Sequence, residues 1–84
     1  MLQAKFSALS RLLLDLGFKS RTKTGAYTRF DHEAAGTWFL YPDYAEDEDV
    51  AASDLVGTRH QLDFKGMLPG DQFDERLKEV SVAG

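Results

Sequence analysis

The side chains best suited to bind a ligand are basic residues that recur at alternate positions of one short segment. Lys19, Arg21 and Lys23 alternate with smaller residues, and Tyr27 and Arg29 follow a Thr-Gly pair that predicts a turn. Alternate residues of a strand point to one face of a sheet. Cations on one face can neutralise phosphates, and an aromatic ring among them can stack on a nucleobase. The same pattern is typical of a charged surface that prevents edge-to-edge pairing, and the sequence leaves both interpretations open.

The length of the turn decides which side chains share that face. A loop of only Thr24 and Gly25 would place the basic residues on the same face as Phe30, an expected core residue. A loop of residues 24–26 instead turns Phe18 and Phe30 inward together and keeps the cations outside. We therefore predict the second register, in which Lys19 lies opposite Asp31, Arg21 opposite Arg29, and Lys23 opposite Tyr27.

The sequence offers few groups for catalysis or metal binding. It contains no cysteine, which excludes disulfides, thiolate metal sites and thiol catalysis. We expect His32 to be a hydrogen-bonded residue that points inward at a strand end, and His60 to be a partly exposed helix residue. The acidic residues between Asp43 and Asp49 lack the alternating ligands and central glycine of a calcium loop. We accordingly expect no catalytic residue, no metal and no cofactor.

The chain is short and its charge is unevenly distributed. Its 84 residues allow one domain, residues 1–84. The net charge of −4 argues against nucleic acid at first, but residues 1–30 carry six basic side chains and a single acidic one. The acidic segment Asp43–Asp49 lies in the other part. We expect it to be a solvated loop, with two sharper alternatives: it packs against the basic strands, within one chain or in a homodimer, or it attracts a basic partner.

Hydrophobic periodicity and turn signals predict an α+β domain in the order α-β-β-β-α-α, with a three-stranded antiparallel sheet. The longest apolar runs of the sequence are far shorter than the roughly 20 residues of a membrane span. We therefore expect a cytoplasmic protein without a membrane partner. The predicted elements are a helix over residues 2–16 capped by Gly17, strands Phe18–Lys23, Tyr27–His32 and Thr37–Tyr41, a helix from an N-cap at Ser53 to near Gly66, and a short C-terminal helix from Asp71 to about Val80.

The third predicted strand is apolar on both faces. Alternation buries Phe39 and Tyr41 on the inner face and places Trp38 and Leu40 on the outer face with the basic residues. An apolar patch flanked by cations more often marks a protein interface than a nucleic-acid groove. We expect the C-terminal helix to cover this patch.

Three short motifs resemble the HicA family of small toxins and its YcfA-like relatives. They are the run Leu12–Phe18, the tripeptide Gly25-Ala26-Tyr27 and the tripeptide Phe30-Asp31-His32, and the resemblance spans residues 5–62. It implies a fold like that of double-stranded-RNA-binding domains, with the order α-β-β-β-α. For the toxins it also implies cleavage of mRNA and neutralisation by an antitoxin protein.

The residues that carry catalysis in that family differ here. Tyr27 stands where the family has its catalytic histidine in Gly-Ser-His, and Ala26 stands in place of the serine. His32 corresponds to the family's second, non-catalytic histidine, and Glu33 replaces the proline after it. A tyrosine with an ordinary pKa near 10 is a poor general base at neutral pH.

We therefore predict a binding module without nuclease activity, which contacts RNA or a protein partner through its basic sheet face. The binding residues of that prediction are Lys19, Arg21, Lys23, Tyr27 and Arg29. One alternative is an mRNA interferase toxin of a toxin-antitoxin system. Another is a protein-interaction domain that uses the acidic segment and the second helix, including a homodimer.

Overall fold

The computed structural model describes residues 3–23 and 26–83, which form an α+β domain with a three-stranded antiparallel sheet, as predicted. The strands follow one another across the sheet in the order β1-β2-β3. Helices α1 and α2 pack on one face of the sheet, and α3 packs against both helices. The elements are α1 (Phe6–Asp15), β1 (Lys19–Lys23), β2 (Tyr27–His32), β3 (Thr37–Pro42), α2 (Ala52–Phe64) and α3 (Gly70–Ala83).

Helix α1 begins later than the predicted range of residues 2–16. The backbone before it is extended: the N–H of Val50 donates to the carbonyl of Ala4 over 2.9 Å. The first free amide of the helix, that of Phe6, donates to the carbonyl of Glu48 over 2.8 Å. The acidic segment thus supplies backbone acceptors to the helix N-terminus, a contribution that hydrophobic periodicity does not reveal.

The end of α1 follows the prediction. Gly17 has φ +99°, a left-handed conformation that costs a residue with a Cβ atom more than it costs glycine. The N–H of Phe18 then donates to the carbonyl of Leu13 over 3.0 Å. A Cβ atom on Gly17 would lie 3.1 Å from Nε2 of His32, so the turn also brings the chain close to the end of β2.

Helix α2 begins at Ala52, so the prediction that Ser53 is its N-cap is wrong. The residue at the N-cap is Ala51, which has no capping side chain. Its N–H instead donates to the hydroxyl of Tyr44 over 3.0 Å, and that hydroxyl donates to Oδ2 of Asp54 over 2.6 Å. Loss of solvent and the bond to Asp54 raise the pKa of Tyr44. A tyrosine from the preceding loop therefore organises the start of this helix.

The inner face of the sheet and the helices enclose one core. Phe30, Phe39 and Tyr41 are buried there, in agreement with the predicted alternation. The hydroxyl of Thr58 in α2 donates to the carbonyl of Asp54 over 2.8 Å, so Tyr41 donates to Thr58 Oγ1 over 2.6 Å. Burial raises the pKa of Tyr41 well above its ordinary value. This buried hydrogen bond joins β3 to α2.

The strand pairing confirms the predicted register. Lys19 lies opposite Asp31, Arg21 opposite Arg29, and Lys23 opposite Tyr27. The predicted turn residues Thr24 and Gly25 lie outside the described residues. Among the residues that the structure does describe, no helix has the length and apolar character needed to span a membrane.

Candidate binding face of the sheet

The side of the sheet that faces away from the helices is open, and we call it the outer face. The described side chains on it come from alternate positions of all three strands. They form three rows across the sheet: Lys19, Asp31 and Trp38 in the first row, Arg21, Arg29 and Leu40 in the second, and Tyr27 with Pro42 in the third.

The strand register places the predicted binding residues at positions of this face. Lys19, Arg21 and Tyr27 are exposed, and Arg29 is half-buried in the centre of the sheet. Lys23 is paired with Tyr27 through the backbone register. The prediction that these positions share one face is therefore confirmed, whereas their role in binding remains a prediction.

The C-terminal helix does not cover the outer face, contrary to the prediction. Trp38 is 52% exposed and Leu40 is 51% exposed. Helix α3 packs against α1 and α2 instead, with Phe73 and Leu77 buried in the core on the opposite side of the sheet. The outer face therefore carries an exposed aromatic residue on β3 in addition to the exposed Tyr27 on β2.

An ion pair and a ring contact fix the position of Arg29. Its Nε lies 2.7 Å from Oδ1 of Asp31, two residues further along β2. Its Cζ lies 4.5 Å from the ring centre of Trp38 on the neighbouring strand. This distance is well inside the range in which an aromatic ring attracts a cation. The guanidinium is thus held over the indole by a carboxylate of the same face.

The same ion pair explains how two arginines are tolerated in directly opposed positions. Arg21 and Arg29 face each other across β1 and β2, and like charges in such a pair destabilise a sheet. Asp31 draws the charge of Arg29 towards β3 and away from Arg21. The electrostatic result is a cationic β1, a neutralised arginine on β2 and an apolar, aromatic β3.

Asp31 has a second feature of interest. Its Oδ2 is buried and has no hydrogen-bond donor within residues 3–23 and 26–83. A cleft of about 180 Å³ adjoins this residue, with Trp38 as one wall. This volume is below the ~300 Å³ at which pockets begin to enclose small-molecule ligands. The outer face therefore resembles an open platform more than a closed pocket.

His32 is a hydrogen-bonded residue at the end of β2, as predicted, and it also lines the cleft beside Asp31 and Trp38. Its Nδ1 accepts a hydrogen bond from the N–H of Ala35 over 3.2 Å, and its ring packs edge-on against Phe18 at 5.2 Å. The Nδ1 bond assigns the proton of the neutral ring to Nε2, which faces Gly17. This arrangement makes His32 a structural residue of the turn between β2 and β3.

The acidic segment contacts the start of α1 and, through Tyr44, the start of α2. Glu46 and Glu48 provide backbone carbonyls to the first turn of that helix, and Asp49 pairs with Lys5 at 3.2 Å. These contacts differ from the predicted alternative in which the segment packs against the basic strands of its own chain, and the homodimer form of that alternative stays a prediction. The physical reason is that the first N–H groups of a helix need acceptors, which the carbonyls of the acidic segment supply.

Comparisons of the chain with protein-family models, curated proteins and solved structures found no match. The chemistry of the outer face is therefore inferred from its own residues.

Two features of this face were not predicted from the sequence. The pairing of Arg29 with Asp31 could have been found, because residues two apart on a strand share a face and these two carry opposite charges. The exposure of Trp38 could not have been found from the sequence, because it depends on where α3 packs. Among the described residues, no group of three or more histidine and acidic side chains is arranged to hold a metal ion.

Proposed function

We propose that this protein is a small RNA-binding module and that the outer face is its binding surface. The observation that carries the proposal is the combination of exposed cations and exposed aromatic rings on one open sheet. Lys19 and Arg21 supply charges for phosphates, and Tyr27 and Trp38 supply rings for bases. Sheets that carry aromatic residues in this way are a recurrent platform for unpaired bases.

The net charge of −4 does not oppose the proposal, because charge acts locally in salt solution. At physiological ionic strength, exposed charges separated by more than about 8 Å are largely screened from one another. The acidic residues Glu46, Glu48 and Asp49 contact the start of α1, a helix that packs on the other face of the sheet. A phosphate at the outer face therefore responds mainly to the described cations there and to the single carboxylate of Asp31.

The two exposed rings lie at opposite ends of the face, Tyr27 on the central strand and Trp38 on an outer one. Trp38 is opposite Asp31, and Asp31 is four residues from Tyr27 along β2. With the usual rise and strand spacing, the two positions are about 14 Å apart. A strand that contacts both rings must pass over the central Arg29, so the proposed ligand is an oligonucleotide and not a mononucleotide.

The proposal is tested by the binding of a labelled oligouridine strand, followed by fluorescence anisotropy. The double variant Lys19→Ala/Arg21→Ala should bind at least tenfold more weakly than the wild type, since each lost phosphate contact removes part of the counterion release. The matched control is Lys65→Ala/Lys78→Ala, which removes two exposed cations from α2's C-terminal end and α3. Equal affinities for the two double variants would contradict the proposal.

A second candidate function is supported by Leu40. This residue is 51% exposed beside Trp38 and Arg29, and tryptophan and arginine are enriched among the residues that dominate protein interfaces. A protein partner, such as an antitoxin-like product of an adjacent reading frame or a second copy of the chain, would bury Leu40. Leu40→Ala should then abolish that complex, whereas the RNA proposal expects little change in oligouridine affinity.

The mRNA interferase alternative has its own readout in the same experiment. Electrophoresis of the RNA after incubation shows whether the strand is recovered intact. We expect intact RNA, because Tyr27 stands at the position of the family's catalytic histidine and His32 is engaged by the N–H of Ala35 and the ring of Phe18.

A further inference from the structure

We propose that Asp31 is a positioning residue, which holds Arg29 against Trp38 so that the pair forms a stacking site for an unpaired base. The inference rests on the proposed function and names its ligand more narrowly, as single-stranded RNA. It starts from an apparent contradiction: a carboxylate stands in the first row of a face that we expect to bind phosphates.

The geometry indicates that this carboxylate orders the Arg29 side chain in addition to balancing its charge. Asp31 Oδ1 accepts from Nε of Arg29 at 2.7 Å, and the guanidinium then lies 4.5 Å from the Trp38 ring centre. A free arginine side chain has many rotamers, and ordering it on binding would reduce affinity. An arginine that is already ordered over the indole avoids this loss when the ligand binds.

The buried second oxygen of Asp31 strengthens this assignment. Oδ2 has no hydrogen-bond donor within the described part of the chain, and a buried acceptor of this kind is unfavourable in itself. The carboxylate nevertheless stays at the sheet surface, where Arg29 is its described donor. The arrangement is accounted for if the position of Arg29 serves the binding face.

The exposed surface of the Arg29–Trp38 pair is better suited to a base than to a whole small molecule. Trp38 is 52% exposed and forms one wall of the ~180 Å³ cleft, which is too small to enclose a drug-sized ligand. A base can lie against the indole while its phosphates remain near Lys19 in the same row. Stacking needs a free base face, which a base inside a duplex does not present.

The test compares three labelled probes of equal length: a single-stranded oligouridine, the same strand with abasic sites, and a duplex. The wild type should bind oligouridine about tenfold more tightly than the abasic strand. Trp38→Leu should remove most of this difference and leave binding of the abasic strand unchanged. Circular dichroism confirms that each variant is folded.

The variant Asp31→Asn distinguishes a positioning role of Asp31 from a simple effect of its negative charge on phosphate binding. Removal of an acidic residue from a phosphate-binding face should strengthen binding of every probe, and the control Glu33→Gln, at the exposed turn nearby, should show this small increase. We expect Asp31→Asn to weaken oligouridine binding by about threefold to tenfold while the abasic strand is bound as well as before or better.

Three results would overturn the inference. Tighter binding of oligouridine by Asp31→Asn, as with Glu33→Gln, would show that Asp31 acts only through its charge. Equal binding of oligouridine, the abasic strand and the duplex by the wild type would leave RNA binding intact but exclude the stacking site. Binding of none of the probes would contradict the proposed function itself.

Discussion

The Nε atom of Arg29 lies 2.7 Å from Oδ1 of Asp31 on the open side of the sheet. This pairing turns the central arginine away from Arg21, which lies directly opposite on β1, and towards the indole of Trp38. One carboxylate thereby separates the face into a cationic strand and an aromatic strand. The stability, the electrostatics and the proposed binding mode of the face all depend on this pair.

Asp31→Asn should lower the free energy of unfolding by about 0.5–1 kcal/mol, the range of a partly exposed ion pair. The loss arises from the weakened bond to Arg29 and from unrelieved repulsion between Arg21 and Arg29. Because both effects are electrostatic, the loss should shrink as salt is added. Urea unfolding at low and high sodium chloride measures it. A variant more stable than the wild type at low salt would contradict this account.

Two glycine substitutions should have opposite effects. Gly17→Ala should destabilise the protein by more than about 1 kcal/mol, because φ is +99° and the new Cβ would crowd His32 Nε2 at 3.1 Å. Gly57→Ala should stabilise it by about 0.5–1 kcal/mol, since a Cβ there meets nothing within 4 Å in a helix interior. Thermal unfolding of both variants checks the signs, and the same sign for both would be inconsistent with these conformations.

Two phenylalanine substitutions test whether α3 packs in the core as described. Phe73 is fully buried, and Phe73→Ala should cost about 3–5 kcal/mol, a large part of the stability of a small domain. Phe64 is 75% exposed at the end of α2, and Phe64→Ala should change the unfolding free energy by less than about 0.5 kcal/mol. Urea denaturation compares the two. If Phe64→Ala were the more damaging substitution, the packing of the helices described above would be wrong.

The buried hydroxyl of Tyr41 predicts a pH-dependent contribution to stability. At neutral pH, Tyr41→Phe should cost about 1 kcal/mol through loss of the hydrogen bond to Thr58. The folded protein holds the phenol proton more tightly than the unfolded chain does, because burial raises the pKa of Tyr41 above its ordinary value of 10.0. Wild-type stability should therefore fall as the pH rises above about 10.

The variant lacks this titration, so the stability difference between wild type and Tyr41→Phe should narrow above pH 10. Tyr27→Phe is the matched control, because Tyr27 lies exposed on the outer face and should follow the wild-type curve. Urea unfolding across alkaline pH measures all three proteins. A difference that widens with pH would contradict the burial of this phenol.

Much of the fold could be predicted from the sequence because its patterns are local. Alternation places Phe30 and Phe39 inward, and the same rule gives the register that pairs Arg21 with Arg29. Gly17 is a cap whose conformation follows from its position after an apolar stripe. These signals need only neighbouring residues and the geometry of helices and strands.

The features that could not be predicted depend on contacts between distant segments. The start of α1 depends on carbonyl groups of Glu46 and Glu48, far along the chain, and the start of α2 depends on the hydroxyl of Tyr44. The exposure of Trp38 depends on α3, which packs on the helices and not on the sheet. For the binding face, sequence reasoning found the cations and missed how Asp31 orders Arg29.

The most direct test of RNA binding by the outer face is a titration of the ¹⁵N-labelled protein with a single-stranded oligouridine at low salt, followed by amide chemical shifts. The proposal predicts the largest shifts on β1 and β2 and at Trp38, including its indole N–H, and predicts that they diminish as salt is added. Shifts confined to the exposed side of α2 or to the acidic segment, or no shifts at all, would contradict it.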